Sequence, residues 1–472
     1  MAKWLAFLTV SVVFVGLKPM PDLFGGDVFM PNAPGASPPS LNQRDKPLNE
    51  RLAYDYVEPK SDASETIERR LSGFLSQSVE YDDNLFLQPR GQEESDVIFN
   101  SAAGVRWGII NKERPIGRLR LALSYFINYR TFVRHSRLNG FNQVLGIDLD
   151  APLRKVLGKK LSLTVEERFR PEPLIIFDES SRDRGRRRAR RQYRLVNDLS
   201  ATLSYPVTGK TTVSVPYRNT YVHYLDKELH EFNFMRHSIG VRLTHDITPK
   251  TSVYGEGTVA YTHYNSSIND TIDYTARTGL NKEITQKIHV DLSAGYQYRR
   301  FVKKRGATQT YIFDGTYNHA ISYKTRFNLN IFRAITETLS VADDFTGIRT
   351  VGESLRDRNP TIITTGGNAL LNHFLAPRFS VYGGGGVIYT TENPGERKDW
   401  LYIARSGAAY YLRRNLTLNF DYIFTLRDSN ISDSDYIRNR FILSINYGFG
   451  RGGTFVGGGV PTANRGGTGG TL

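Results

Sequence analysis

The sequence predicts an all-β fold: a transmembrane antiparallel up-and-down β-barrel of about 18 strands, within a range of roughly 16 to 20. Three observations carry this reading. Apolar and polar residues alternate with a period of two in segment after segment, each about long enough to cross a bilayer as a tilted strand. The links between segments alternate between short turns and longer loops, the asymmetry of a barrel with one rim in the periplasm and the other outside the cell. Finally, 27 Tyr, 26 Phe and 42 Gly accompany a hydrophobic content of only 39% and a mean hydropathy of −0.40. That profile suits strands with one polar face and aromatic anchors at the lipid boundary.

The N-terminal region is not barrel-like. Lys3 precedes the apolar run of residues 5–17 (LAFLTVSVVFVGL), followed by Lys18 and prolines. Such a run is too short for a spanning helix and reads as the core of an export signal, so residues 1–20 are expected to be a signal peptide. Residues 21–70, with Pro21, Pro31, Pro34, Pro38 and Pro39, read as a flexible periplasmic segment with a short helix near residues 64–71. The chain has no cysteine, which suits an oxidising compartment. No other stretch approaches the roughly 20 apolar residues that a membrane helix needs.

The barrel is expected over residues 71–449. Strands are predicted at 73–81, 97–109, 118–134, 142–151, 161–169, 193–205, 211–224, 234–246, 252–264, 274–284, 288–298, 311–321, 326–335, 361–374, 379–390, 400–410, 416–426 and 436–449. The third is clear: Leu119, Leu121, Leu123, Tyr125, Ile127 and Tyr129 share one face, while Arg118, Arg120, Ser124, Asn128 and Arg130 share the other. A helix would scatter both sets around its circumference. In the last strand Ile437, Phe441, Leu443, Ile445, Tyr447 and Phe449 oppose Arg438, Arg440, Ser444 and Asn446. Residues 450–472, rich in Gly, read as a disordered tail.

A charged strand face is expected to line the interior, because arginine facing mid-membrane lipid costs roughly 2 to 4 kcal/mol. The predicted pore-lining residues are Arg106, Arg118, Arg120, Arg130, Arg134, Arg168, Arg194, Arg218, Arg236, Arg242, Arg277, Arg299, Arg438 and Arg440, with Arg326, Arg405 and Arg427 on the same face. Acids expected there include Asp148, Glu166, Asp198, Asp246, Glu256, Glu283, Asp291, Asp314 and Asp421. Excess positive charge in a confined channel concentrates anions; if each arginine meets an acid, the same residues only solvate the wall. Residues 171–191 are expected to form the third external loop. Its Arg182, Arg184, Arg186, Arg187 and Arg188 are a candidate constriction, the alternative being a solvated loop that meets lipopolysaccharide phosphates.

Catalysis is not expected. A strand-borne nucleophile and base need spacing by two, but His135-Ser136 and His237-Ser238 are adjacent. Asp428-x-Asn430-x-Ser432 lacks the Gly and Glu of a calcium loop, so neither metal nor cofactor is expected. Tyr221, Tyr224, Tyr261, Tyr264, Tyr296, Tyr298, Tyr389 and Tyr402 are expected in interfacial girdles. The arginine run lacks a fold to present it to nucleic acid.

The closing strand, ending in Phe449, resembles the C-terminal assembly signal of bacterial outer-membrane barrels. Tyr81-Asp82-Asp83-Asn84-Leu85-Phe86, after the first strand, is similar to the opening of a family of β-barrel porins associated with exopolysaccharide systems. The resemblance implies the outer membrane, with its lipids, its lipopolysaccharide and the barrel assembly machinery as partners. It implies a role in solute passage or near envelope polysaccharide export; together with the arginine-rich face, the expectation is passive diffusion of small hydrophilic, preferentially anionic solutes. The alternative is a barrel assisting export or assembly of capsular or exopolysaccharide, with periplasmic export components as partners.

Overall fold

The computed structural model describes residues 67–111, 119–153, 161–178, 188–265, 270–303, 306–336, 361–393, 398–431 and 434–449. They form eighteen strands: β1 (Ile67–Asp82), β2 (Asp96–Asn111), β3 (Leu119–Phe132), β4 (Gly140–Pro152), β5 (Ser162–Asp178), β6 (Arg188–Pro206), β7 (Thr211–Tyr224), β8 (Phe234–Thr248), β9 (Thr251–Tyr264), β10 (Thr271–Thr285), β11 (Ile288–Phe301), β12 (Ala307–His319), β13 (Thr325–Thr336), β14 (Thr361–Ala376), β15 (Phe379–Asn393), β16 (Lys398–Arg413), β17 (Leu416–Ser429) and β18 (Tyr436–Phe449). Each pairs antiparallel with its sequence neighbours, and β1 also pairs with β18, from Gly73 opposite Phe449 to Asp82 opposite Arg440. The sheet therefore has no free edge, as a lipid-embedded sheet requires. Eighteen strands about 4.8 Å apart and tilted by about 40° give a backbone cylinder roughly 36 Å across, wide enough for a water-filled lumen.

Alternation puts apolar residues outside and polar ones inside. On β18, Leu443 is 51% exposed on the outer surface, while the inward Arg438 is 1% exposed. The seam depends on a glycine: a Cβ at Gly73 would collide with the Phe449 ring and the Gly104 carbonyl. Inside the seam, Phe74 and Phe126 stack with ring centroids 5.8 Å apart.

The structure departs from the sequence reading in several places. Residues 67–71 are strand, not helix, and pair with residues 107–111 of β2, which satisfies their backbone groups in a ladder. Strands β5 and β6 run beyond their predicted ends, with a continuous register from Phe169 opposite Asn197 to Asp178 opposite Arg188. Tyr224 and Tyr264 are buried inward, because each lies three residues from an outward tyrosine, Tyr221 or Tyr261, and odd spacing places them on opposite faces.

Candidate functional site: the lumen wall and its mouth

At the rim of the longer links, residues 83–95 between β1 and β2 turn into the barrel. Leu85, Phe86 and Leu87 are buried against Ile98, Phe132, Leu138 and Tyr436, with Leu401 beside them. The turn is held by polar side chains. Asp82 receives the Arg438 Nε at 3.0 and 3.1 Å, plus a further bond from Arg438 Nη2. Asp83 accepts the Asn439 backbone and side-chain N–H groups, both at 2.6 Å. Asn84 donates to the carbonyls of Gln88 and Ile437 at 2.8 Å and accepts the Gln88 N–H at 2.8 Å. Leu87 takes φ +52°, a conformation that a branched side chain adopts only when its surroundings impose it. The Asp-Asp-Asn sequence is thus a clasp that fastens β1 to β18 and aims the next three residues at the lumen.

Beside the clasp, Asp96 accepts the backbone N–H groups of Val97, Arg134 and His135 and lies 2.8 Å from His135 Nδ1, while Glu94 lies 3.2 Å from His135 Nε2. A second link, residues 225–233, contains the 3₁₀ turn Lys227–Phe232. It buries Leu229 and Phe232 on the inward Val196, Val222 and Tyr224. Two apolar links therefore narrow the mouth from different walls.

Below the mouth the wall is charged, and arginines converge in pairs on single carboxylates. Arg130 and Arg440 meet Glu80 at 3.5 and 3.6 Å. Arg106 lies 3.2 Å from Asp148, which Arg168 also binds. Arg236 and Arg299 hold Asp273 at 2.9 and 2.6 Å. Arg242 and Arg277 hold Glu256 at 2.5 and 3.2 Å. Arg218 of β7 joins this last group, within electrostatic reach of Arg242, Glu256 and Arg277. Three strands thereby bring three guanidinium groups around one carboxylate, with Arg242 stacked 4.5 Å over the Tyr254 ring. Next to this cationic sector, Asp291 and Asp314 are close neighbours on β11 and β12.

Most of the predicted arginines are on this wall, with exceptions. Arg134 lies past the end of β3, exposed at the rim, where it donates to Ser95, because the strand stops at Phe132. Arg194 is buried on β6, and Arg120 lies near Asp150. Arg118, Arg182, Arg184, Arg186 and Arg187 lie outside the described residues, and of Arg188 only its strand position is described. The expected third loop is shorter than residues 171–191, since β5 continues to Asp178 and β6 begins at Arg188. Sequence reading missed Glu80, Asp82, Asp273 and Asp399, each an arginine partner. It also missed the inward turn of residues 83–95, although Leu85-Phe86-Leu87 is an unusual apolar triplet for a solvated link. His237 and Ser238 face opposite ways, outward and inward, in agreement with their adjacency.

Residues 228–449 match the model of the family described as "Putative beta-barrel porin 2". No curated protein matches the chain. Among solved structures, the chain is similar to Acinetobacter baumannii OccAB4 (10% identity, TM-score 0.44, covering 82% of this chain and 100% of that one). It is also similar to Pseudomonas aeruginosa OpdK solved with vanillate (11%, 0.43, 81% and 99%) and to Pseudomonas aeruginosa OpdL (10%, 0.42, 81% and 99%). The expectation of no enzymatic activity accords with a porin family. The closed eighteen-stranded sheet, its apolar exterior and the match from β8 to β18 make the chain a porin-like barrel of the bacterial outer membrane.

Proposed function

We propose that the chain is a passive diffusion channel for small hydrophilic solutes that favours anions, and that the β7–β10 sector of its wall sets the preference. The observation that supports this reading is the meeting of Arg218, Arg242 and Arg277 around Glu256, with Glu166 also within electrostatic reach of Arg218 and Asp314 of Arg277. In a narrow passage with low-dielectric walls, a fixed local excess of positive charge raises anion concentration and lowers that of cations. Purified protein in planar bilayers under a potassium chloride gradient should give a reversal potential of anionic sign. Replacing all three arginines with glutamine should move it toward cation preference. Cation selectivity in the unaltered protein, or no change in the triple variant, would overturn the proposal.

The narrowed mouth favours a second reading, a barrel assisting export or assembly of an envelope polysaccharide. The same bilayer separates the two, since a barrel closed at rest by its inward links would be silent there.

A further inference from the structure

On the outer surface of β5 and β6 an ionisable group sits among apolar side chains. On β17 and β18 the outward residues include Leu418, Phe420, Leu443, Ile445 and Tyr447, all exposed and apolar. On β5, an outward position carries Glu167. Its register neighbours are Ile147 on β4 and Leu199 on β6, and Val165 and Phe169 flank it on its own face. A carboxyl group is thus ringed by apolar side chains where acyl chains would lie. Its partner is Asn197, whose Nδ2 donates to Glu167 Oε1 at 3.3 Å. The same row continues through Leu199 to Asn219 and His237. Asn219 Nδ2 lies 3.2 Å from His237 Nδ1, and the Tyr217 hydroxyl 2.9 Å from it.

Ionisable and amide groups facing hydrocarbon are costly, and an acyl chain offers them no hydrogen-bond partner. Polar side chains on a membrane-facing surface are instead suited to joining proteins. A two-fold interface buries the same patch on both subunits and therefore needs a patch that complements itself. Glu167 and Asn197 meet that condition, being an acceptor with a free oxygen beside a donor with a second N–H.

We propose that the β5–β6 surface around Glu167 is the contact between two copies of this chain. The two-fold axis runs parallel to the barrel axis beside this pair, so that Asn197 of each copy donates to Glu167 of the other. Val165, Phe169 and Leu199 then close around the four polar groups and exclude lipid.

The test uses the full chain, purified in mild detergent and examined by native mass spectrometry. Because the chain has no cysteine, Leu199→Cys places a unique thiol at the centre of the patch, and Leu443→Cys places one on another wall. In outer membranes, a thiol cross-linker should join Leu199→Cys copies and leave Leu443→Cys copies single. Glu167→Leu should weaken the dimer at least tenfold while leaving heat-modifiable electrophoretic mobility, the sign of a closed barrel, unchanged. Glu167→Gln, which keeps an acceptor oxygen, should retain the dimer. Monomers throughout, a Glu167→Leu dimer of undiminished strength, or cross-links from residue 199 only to a different protein would each overturn the proposal.

Discussion

Removing the Asp82 carboxylate tests the clasp that closes the barrel. Asp82 is 0% exposed and the Arg438 it binds is 1% exposed, so Asp82→Ala deprives a buried guanidinium group of the carboxylate it is bonded to, with Glu80 still within electrostatic reach. Breaking a buried ion pair from one side costs about 3 to 5 kcal/mol. The Asn84 backbone N–H, which donates to Asp82 Oδ1 at 3.1 Å, loses its acceptor as well, at about 1 kcal/mol. Water entering from the lumen offsets part of this, and a net loss of about 3 to 4 kcal/mol is expected. Urea unfolding in detergent micelles, followed by tryptophan fluorescence and by heat-modifiable mobility, measures it. The double variant Asp82→Leu with Arg438→Met removes both charges and should recover to within about 2 kcal/mol of the parent. A single variant costing under about 1 kcal/mol, or a double variant as unstable as the single one, would refute the assignment of the clasp.

Further outcomes follow from the same geometry. Phe86→Ala should cost about 3 kcal/mol of stability and raise single-channel conductance by freeing the mouth; unchanged conductance would show that the inward turn does not narrow the path. Gly73→Ala should slow or prevent acquisition of the folded, heat-modifiable form during refolding, because the added methyl group displaces the Phe449 ring; normal refolding would contradict that contact. Asp270, in the link before β10, tests pH dependence. Burial opposes its ionisation, but the Tyr264 N–H, His263 and Lys303 prevail and hold the carboxyl below the usual carboxylate range. A depressed folded-state value contributes stability above the unfolded value, about 4, that is lost as pH falls through the folded value. Amide exchange at Tyr264, corrected for intrinsic rates, should therefore rise on acidification in the parent and be fast and nearly pH-independent in Asp270→Asn. Increasing protection at low pH would contradict this.

Strand β18 was fully legible in the sequence, since in lipid an alternating strand of this length has no other way to satisfy both its faces and its backbone. The ends of β5 were not. Pro171 and Pro173 read as loop, yet pairing with β4 stops at Leu145 opposite Phe169, so a missing N–H on that edge breaks no ladder. Many of the described arginines of the predicted set meet acids along the strands, whereas some of their partners were overlooked for a local reason. Asp82, Asp273 and Asp399 each fall one residue beyond a predicted strand end, where acids beside turns read as solvated. Counting these acids, the positive excess of the wall is smaller than the sequence reading implied, although two arginines still share one carboxylate at Glu80, Asp148, Asp273 and Glu256. Residues 81–86 were recognised as a family feature, but their role depends on Arg438, Asn439 and Ile437, more than 350 positions away, and no local pattern encodes that pairing.

The account rests on which side of the wall each residue faces. Single cysteines at residues 441–446 of β18, in this cysteine-free chain, can be challenged in intact outer membranes with a membrane-impermeant thiol reagent small enough to enter the lumen. Labelling should alternate, reaching positions 442, 444 and 446 and sparing 441, 443 and 445. Uniform labelling, or labelling of the odd positions alone, would contradict a lipid-facing exterior around a water-filled, arginine-lined interior.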